Sequence, residues 1–336
     1  MTIPDTKRST RIVTFGTGDF ALPVFESLVD AGYHVVSLVT RPDRPKGRKQ
    51  DTTPNAIKLS ALARGVPVFQ PEDVNLSDSV EHIRSLKPDV FATAAYGQIL
   101  SAELLGVPKL GAINLHGSLL PAYRGAAPVA RAIENGENEA GVTVIFMTPR
   151  IDAGGMLARA SVPIDPNETA GELEDRLAIL GAPLIVETID RLVRGEAEPL
   201  KQERARVTRA PKLRKEEGLI DWNLPAQKIH NLIRAMNPWP LASTYWQSNK
   251  SEKHPIRLIV HRSRCEPDAE GEAGSVVAAD SEKVIVAAGS GGVRLVTVQI
   301  EGKKPMPIEE FLRGRKIELG DRFVKIDEDS RSRPNA

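Results

Sequence analysis

Between residues 11 and 193, short apolar runs alternate with stretches of helical periodicity, and that alternation constrains the fold more than any other feature of the chain. Arg11–Gly16 (RIVTFG) and His34–Thr40 (HVVSLVT) are rich in β-branched residues and read as buried strands. Val66–Phe69, Asp89–Ala95, Leu110–Leu115, Gly141–Met147 and Met156–Ile164 read the same way. Helical patterns fall among them at Asp19–Ala31, Asn55–Arg64, Ser77–Leu86 and Ala126–Glu134, and a long one over Ala170–Val193 closes the series. Buried strands separated by helices predict an α/β fold: a doubly wound, mostly parallel, Rossmann-like sheet. Ligands of such sheets bind beyond the carboxyl ends of strands, where strand order reverses.

The pattern changes after Val193. Lys201–Glu217 is highly charged, contains Pro211 and reads as a linker. A helix over Pro225–Met236 leads into Asn237-Pro238-Trp239-Pro240. Short strand-like runs follow at Arg257–His261, Gly274–Ala279, Lys283–Ala287 and Val293–Ile300, broken by Gly and Pro. Strands of this length and spacing predict a small β-barrel or sandwich, an OB-like barrel being one candidate of this size. The expected organisation is a catalytic domain over residues 1–204, a linker over 205–215, a barrel domain over 216–326 and a disordered tail over 327–336.

Charge is informative only once divided. The 336 residues carry 45 basic and 44 acidic side chains, a net of +1, which on its face argues against a strongly basic nucleic-acid binder. Residues 1–205 carry a net −4 and residues 206–336 a net +5. A change of sign between halves marks either a surface for a charged partner or a drift in composition. The single cysteine, Cys265, rules out an intrachain disulfide framework and a thiolate metal cluster, as suits a reducing compartment. The polar opening MTIPDTKRST has no apolar signal core, and no apolar run approaches the roughly 18–20 residues that span a bilayer. A soluble, cytoplasmic protein is expected.

Gly16-Thr17-Gly18-Asp19-Phe20-Ala21 fits the dinucleotide fingerprint G-x-G-x-x-A between a strand and a helix. The next strand, however, has no acidic residue at its tip to hold a ribose hydroxyl. Asp43 lies beyond it in a basic loop, and Arg41 would suit a 2′-phosphate instead, so an NADP-dependent oxidoreductase is the alternative of another class. The plainer reading is that these glycines let strand and helix meet closely.

Two segments carry candidate chemistry. If the strand ending at Leu115 stays extended for one more residue, Asn114 and His116 share a face. Asp152 lies in Ile151-Asp152-Ala153-Gly154-Gly155, a loop expected at the carboxyl end of a second strand; if the two strands are neighbours, the three side chains converge. Taken singly, His116 also reads as a core histidine and Asp152 as a turn residue before glycine. The six histidines show no H-x-x-x-H spacing, so no metal site is expected, and Ser118 lacks a nucleophile elbow. Asn and His supply donors for an oxygen gaining negative charge, and Asp can orient the imidazole or take a proton. Such a set suits acyl transfer without acylation of the enzyme.

Asn114-x-His116-Gly117-Ser118-Leu119-Leu120-Pro121, Arg124-Gly125-Ala126-Ala127-Pro128, Gly141-Val142-Thr143 and Asp152-x-Gly154 together resemble the formyltransferases that use 10-formyltetrahydrofolate. Ala210-Pro211-Lys212-Leu213, Ile220-Asp221-Trp222, Asn237-Pro238-Trp239-Pro240 and Gly302-Lys303-Lys304-Pro305-Met306 extend the resemblance to the branch acting on methionyl-tRNA. It implies formyl transfer from 10-formyltetrahydrofolate to the α-amine of initiator methionyl-tRNA, by a monomer needing no metal. Asn114, His116 and Asp152 are implied to be catalytic, and Ser118, Leu119, Leu120 and Pro121 to line the formyl-folate site. The glycine-rich turn is implied to be scaffold only, and the OB-like domain to help bind tRNA. The loop after the second strand is implied to meet the tRNA acceptor end. It carries Arg41, Arg44, Lys46, Arg48 and Lys49 against one acid, Asp43. Arg41, Lys46, Arg48 and Lys49 are therefore expected tRNA contacts, with Lys212, Lys303 and Lys304 in the second half. The alternatives are a formyltransferase acting on a sugar-nucleotide or ribonucleotide amine, and a non-catalytic tRNA-binding module.

Overall fold

The computed structural model describes residues 3–46, 51–250 and 254–326. The chain forms two compact units, one made of Met1–Pro128, Glu139–Pro163 and Glu174–Pro211, the other of Val129–Asn138, Ile164–Leu173 and Lys212–Ala336. The division passes through the helix Ala170–Val193.

The first unit is built on a seven-stranded sheet: β1 (Arg11–Gly16), β2 (His34–Val39), β3 (Val68–Phe69), β4 (Val90–Ala94), β5 (Ala112–His116), β6 (Glu139–Phe146) and β7 (Met156–Pro163). Their spatial order is β7-β6-β5-β4-β1-β2-β3. The five strands from β3 to β5 are mutually parallel, and order reverses between β1 and β4. The parallel core strands are buried on both faces, as in β1 and β4, whose apolar runs show no alternation. The last two strands break the pattern. β6 is antiparallel to β5, and β7 is antiparallel to β6. β7 lies at the edge, and from Ala158 it alternates between half-buried and exposed positions.

The glycine-rich turn after β1 serves packing. A Cβ on Gly16 would stand 2.6 Å from the Ala21 Cβ and 3.2 Å from the Ala94 carbonyl oxygen. The chain thus needs this glycine for its own strand-to-helix contact.

In the second unit six strands, β8 (Ala242–Gln247), β9 (Ile256–Glu266), β10 (Val276–Ala279), β11 (Val284–Ala287), β12 (Gly292–Ile300) and β13 (Arg322–Val324), pair in the order β10-β11-β12-β9-β8-β13. All these pairings are antiparallel. A bridge between Ser275 and Arg322 and a hydrogen bond from Val276 N to Asp321 O (2.9 Å) join the two outer strands. The result is a nearly closed barrel with Leu258, Val260, Val286, Leu295 and Phe323 in its core. Three of these elements were not foreseen from the sequence: β8, β13 and the helix Ile308–Gly314. The run ASTYWQ of β8 has no aliphatic signature; it is drawn into the sheet by its buried Tyr245 and Trp246. β9 also extends past His261 to Glu266, because register shifts around Arg262 keep a polar stretch paired with β12. Among the described residues, no helix is long and apolar enough to cross a membrane.

Candidate active site

His116 ends β5 and is nearly buried. Its Nε2 lies 2.9 Å from the Tyr123 carbonyl oxygen. A carbonyl only accepts, so Nε2 carries a proton and Nδ1 is the nitrogen left for chemistry. Nδ1 faces Asp152 Oδ2 at 3.6 Å, and the same oxygen accepts a hydrogen bond from Gly125 N at 2.9 Å. Asn114 precedes His116 by two residues on the strand and is half-buried. Among the described residues, no hydrogen bond engages its amide. Tyr123 and Asp152, the two residues facing the imidazole nitrogens, both adopt left-handed backbone conformations, with φ of 61° and 50°. Non-glycine residues hold such angles only where their surroundings compel it.

Asp152 does not reach this place by the expected route. Its loop does follow a strand neighbouring β5, but that strand is antiparallel. Ile113 pairs with Phe146 and His116 with Thr143, so the carboxyl end of β6 lies beside the amino end of β5. The loop must double back along the sheet. Gly154 permits the turn, since a Cβ there would lie 1.8 Å from the Phe146 carbonyl oxygen. Gln202 then holds the loop. This buried amide donates from Nε2 to the carbonyls of Asp152 and Gly154, both at 2.8 Å. Its Oε1 accepts from Arg124 Nε (3.0 Å) and Nη2 (2.7 Å). Nothing in the sequence marks Gln202. The charged stretch around it signals only a connection, and its role exists only through tertiary contact.

Thr143 of β6 fixes the Ser118–Pro121 loop. Its buried hydroxyl donates to Ser118 O (2.7 Å) and accepts from Leu120 N (3.1 Å). The Ser118 hydroxyl turns onto the Ala122 carbonyl at 2.7 Å. Leu120 is buried with Ile145 and Met156, Leu119 lies over Gly141, and Pro121 is also buried. Two further polar atoms at this end of the sheet are buried without a partner among the described residues: the Thr93 hydroxyl and the Tyr96 hydroxyl. Thr93 is the register partner of Asn114 on β4. Such orphaned groups need a partner, which a bound water or a polar ligand supplies.

The basic candidates are scattered. Arg41 is exposed beside Gly97. Lys46 belongs to the short strand Pro45–Lys46, which pairs with Asp51–Thr52. Arg48 and Lys49 lie outside the described residues. Lys212, Lys303 and Lys304 are exposed in the second unit. A cationic region not foreseen from the sequence flanks Arg124: two adjoining hollows of about 450 and 480 Å³, whose walls include Arg124, Arg150, Lys201, Arg204 and Arg209. Among the described residues, no group of three His, Cys, Asp or Glu side chains is placed to hold a metal ion.

A doubly wound sheet here brings an imidazole and a carboxylate together at the end of a strand that carries an unengaged amide, a set of donors and acceptors that suits acyl transfer. Residues 10–189 match the formyl transferase family and residues 212–316 match the formyl transferase C-terminal domain, so the chain belongs to the formyl transferases. Within them it falls among the methionyl-tRNA formyltransferases. It is 42% identical over 313 residues to the methionyl-tRNA formyltransferase of Bacillus subtilis, covering 93% of this chain and 97% of the relative. It is 44% identical over 317 residues to that of Citrifermentans bemidjiense, covering 94% and 97%. The fold is shared more widely. The Aquifex aeolicus HypX structure in complex with tetrahydrofolic acid superposes with a TM-score of 0.61 at 16% identity, over 93% of this chain and 50% of that one. WlaRD, a sugar 3N-formyl transferase, does so with 0.61 at 20% identity, over 88% and 99%.

Proposed function

We propose that the protein transfers the formyl group of 10-formyltetrahydrofolate to the α-amine of initiator methionyl-tRNA, with Asn114, His116 and Asp152 as its catalytic residues. The observation that carries this reading is the approach of His116 Nδ1 to Asp152 Oδ2 at 3.6 Å beside the unengaged Asn114 amide. It occurs in a chain related along nearly its whole length to enzymes named for that reaction.

10-Formyltetrahydrofolate supplies an activated formyl carbon. The uncharged amine first adds to that carbon, forming a new C–N bond, and the bond to the folate nitrogen breaks afterwards, as the C=O double bond re-forms. Oxygen gains negative charge as the carbon becomes tetrahedral. The Asn114 amide donates to it, and removing one such donor costs about 10²–10³ in rate. Because Nε2 is committed to Tyr123, His116 donates to the same oxygen from Nδ1 as an imidazolium, whose charge Asp152 balances. Asp152 accepts the proton shed by the amine, and that proton leaves with the folate nitrogen. Burial around His116 excludes water that would hydrolyse the formyl donor.

Ser118, Leu119, Leu120 and Pro121 form the wall of the folate site, held in shape by Thr143. The orphaned Thr93 and Tyr96 hydroxyls suit the polar ring system of a folate. Arg41, Lys46, Arg48 and Lys49, with Lys212, Lys303 and Lys304, meet tRNA phosphates. The protein acts in the cytoplasm as a monomer. The test is formyl transfer by the purified protein to initiator methionyl-tRNA, compared with an amino-sugar nucleotide and glycinamide ribonucleotide. Transfer to a small amine alone would overturn the reading.

A further inference from the structure

Thr93 and Asn114 are direct register partners on the neighbouring parallel strands β4 and β5, so their side chains project from one face of the sheet. The row continues on either side into apolar groups. Phe15 of β1 pairs with Thr93, and Ile145 of β6 pairs with Asn114. Both flanking side chains are buried. Read across the sheet, the row is Phe15, Thr93, Asn114, Ile145: two polar side chains enclosed by two apolar ones. Within the row, each polar group has only the other as a polar neighbour.

Neither group is engaged. Thr93 is 4% exposed, and its hydroxyl is buried with no hydrogen-bond partner among the described residues. The Asn114 amide likewise has none. A buried hydroxyl left alone costs free energy that an apolar group of the same shape avoids. Valine would fill this place beside Phe15 without that cost, so packing does not account for the hydroxyl.

Asn114 has a complementary need. The oxygen and nitrogen ends of an amide are nearly equal in size, and a half-turn exchanges donor for acceptor. With Nδ2 forward, Asn114 stabilises an oxygen gaining negative charge; with Oδ1 forward, it repels that oxygen. A group beside the amide must therefore hold the useful orientation. A hydroxyl carries one proton. If it accepts from Nδ2, that proton stays buried without an acceptor; if it donates to Oδ1, the proton is satisfied and Nδ2 is left for the reaction.

We propose that Thr93 is a positioning residue for Asn114, its hydroxyl donating to Oδ1 and so directing Nδ2 at the oxygen of the formyl group. The inference rests on the role proposed above for Asn114 and adds the group that sets its amide. The bond forms as the reactants close on the site, since catalytic hydrogen bonds are commonly long before then. The lone pairs of the Thr93 oxygen remain able to accept from a folate ring.

The test is a double-mutant cycle in the full chain, reading kcat for formyl transfer to methionyl-tRNA with both substrates saturating. Thr93→Val, which keeps the shape, is expected to lower kcat about tenfold, short of the roughly 10²–10³ that follows from losing a donor outright. Thr93→Ser, which keeps the hydroxyl, is expected to stay within about threefold of the unsubstituted protein. In an Asn114→Ala background, Thr93→Val is expected to change kcat by less than about twofold, because no amide remains to be set. Urea midpoints check that each variant is folded. An unchanged kcat in Thr93→Val overturns the proposal, and so does an equal loss with and without Asn114, which would assign the hydroxyl to the folate or to packing alone. A serine variant as slow as the valine variant also overturns it. If the unsubstituted protein formylates an amino-sugar nucleotide or glycinamide ribonucleotide and not methionyl-tRNA, the substrate reading alone falls, and the cycle is judged on that amine. No transfer to any of the three overturns both.

Discussion

His116 Nδ1 and Asp152 Oδ2 face each other at 3.6 Å, too far for a direct hydrogen bond, while a further contact anchors each side chain. Tyr123 O fixes the imidazole and Gly125 N fixes the carboxylate. Both side chains are thus held in place, close enough together for one reacting group to contact both. Asp152→Asn keeps the size of the side chain and an acceptor for Gly125 N but removes the charge. Single-turnover formylation is expected to slow by about 10²–10⁴, with affinity for 5-formyltetrahydrofolate retained. A variant within threefold of the unsubstituted rate would remove Asp152 from the chemistry.

On the proposed mechanism Gln202 acts on the reaction through Asp152, whose loop it holds. Gln202→Glu preserves an acceptor for Arg124 but replaces two N–H donors with oxygen facing the carbonyls of Asp152 and Gly154. The loop loses its clamp, and kcat is expected to fall about tenfold or more, as for a misplaced catalytic group. KM for the folate should change less. Equal losses in kcat and in stability, with no kcat loss beyond the unfolded fraction, would make Gln202 structural only.

Thr143 ties the folate-side loop to β6 with one hydroxyl. Thr143→Val keeps its shape but leaves Leu120 N and Ser118 O unpaired in a buried place. A loss of about 1–3 kcal/mol in unfolding free energy is expected, measurable by urea denaturation. Thr143→Ser, which keeps the hydroxyl, should lose less. The reverse order would mean that methyl packing, and not the hydrogen bonds, holds the loop.

Much of this site was legible before the fold was known, for a physical reason. Alternation along a strand is a local rule, and it placed Asn114 and His116 on one face correctly. The proximity of Asp152 was also foreseen, but the reason was different: β6 runs against β5, and only a doubled-back loop rescues the meeting. Strand direction at a sheet edge is a tertiary outcome that neighbouring residues do not encode. Gln202 and Arg209 lay inside a stretch whose charge and proline mark a connection, and composition does not say what such a backbone pairs with. The same limit hid β8, whose polar and aromatic run becomes a strand only between its two partners.

His230 in the second unit sets a pH dependence. It is nearly buried, its Nε2 donates to Pro166 O and its Nδ1 accepts from the Ser263 hydroxyl, both at 2.9 Å. Burial lowers its pKa below the ordinary 6.5, outweighing the bond to Pro166, and Arg234 and Arg264 lower it further. The unfolded chain therefore binds a proton more readily than the folded one. Stability from this group is complete above the unfolded value of about 6.5 and is lost as pH falls from there through the folded value. The urea midpoint is expected to drop between pH 7.5 and 5.5, and to drop less in His230→Gln. An identical drop in both would place the acid sensitivity elsewhere.

The proposed catalytic surface is assembled from three stretches widely separated along the chain: 114–125, 143–154 and 202–210. The last of these follows the 24-residue helix Ala170–Val193 and carries the amide that secures Asp152. A nascent chain halted before residue 202 therefore holds Asn114, His116 and Asp152 in sequence but has no clamp for the doubled-back loop. If Asp152 is catalytic as proposed, the chain becomes competent only once residue 202 has been made and the segment around it has docked on the doubled-back loop.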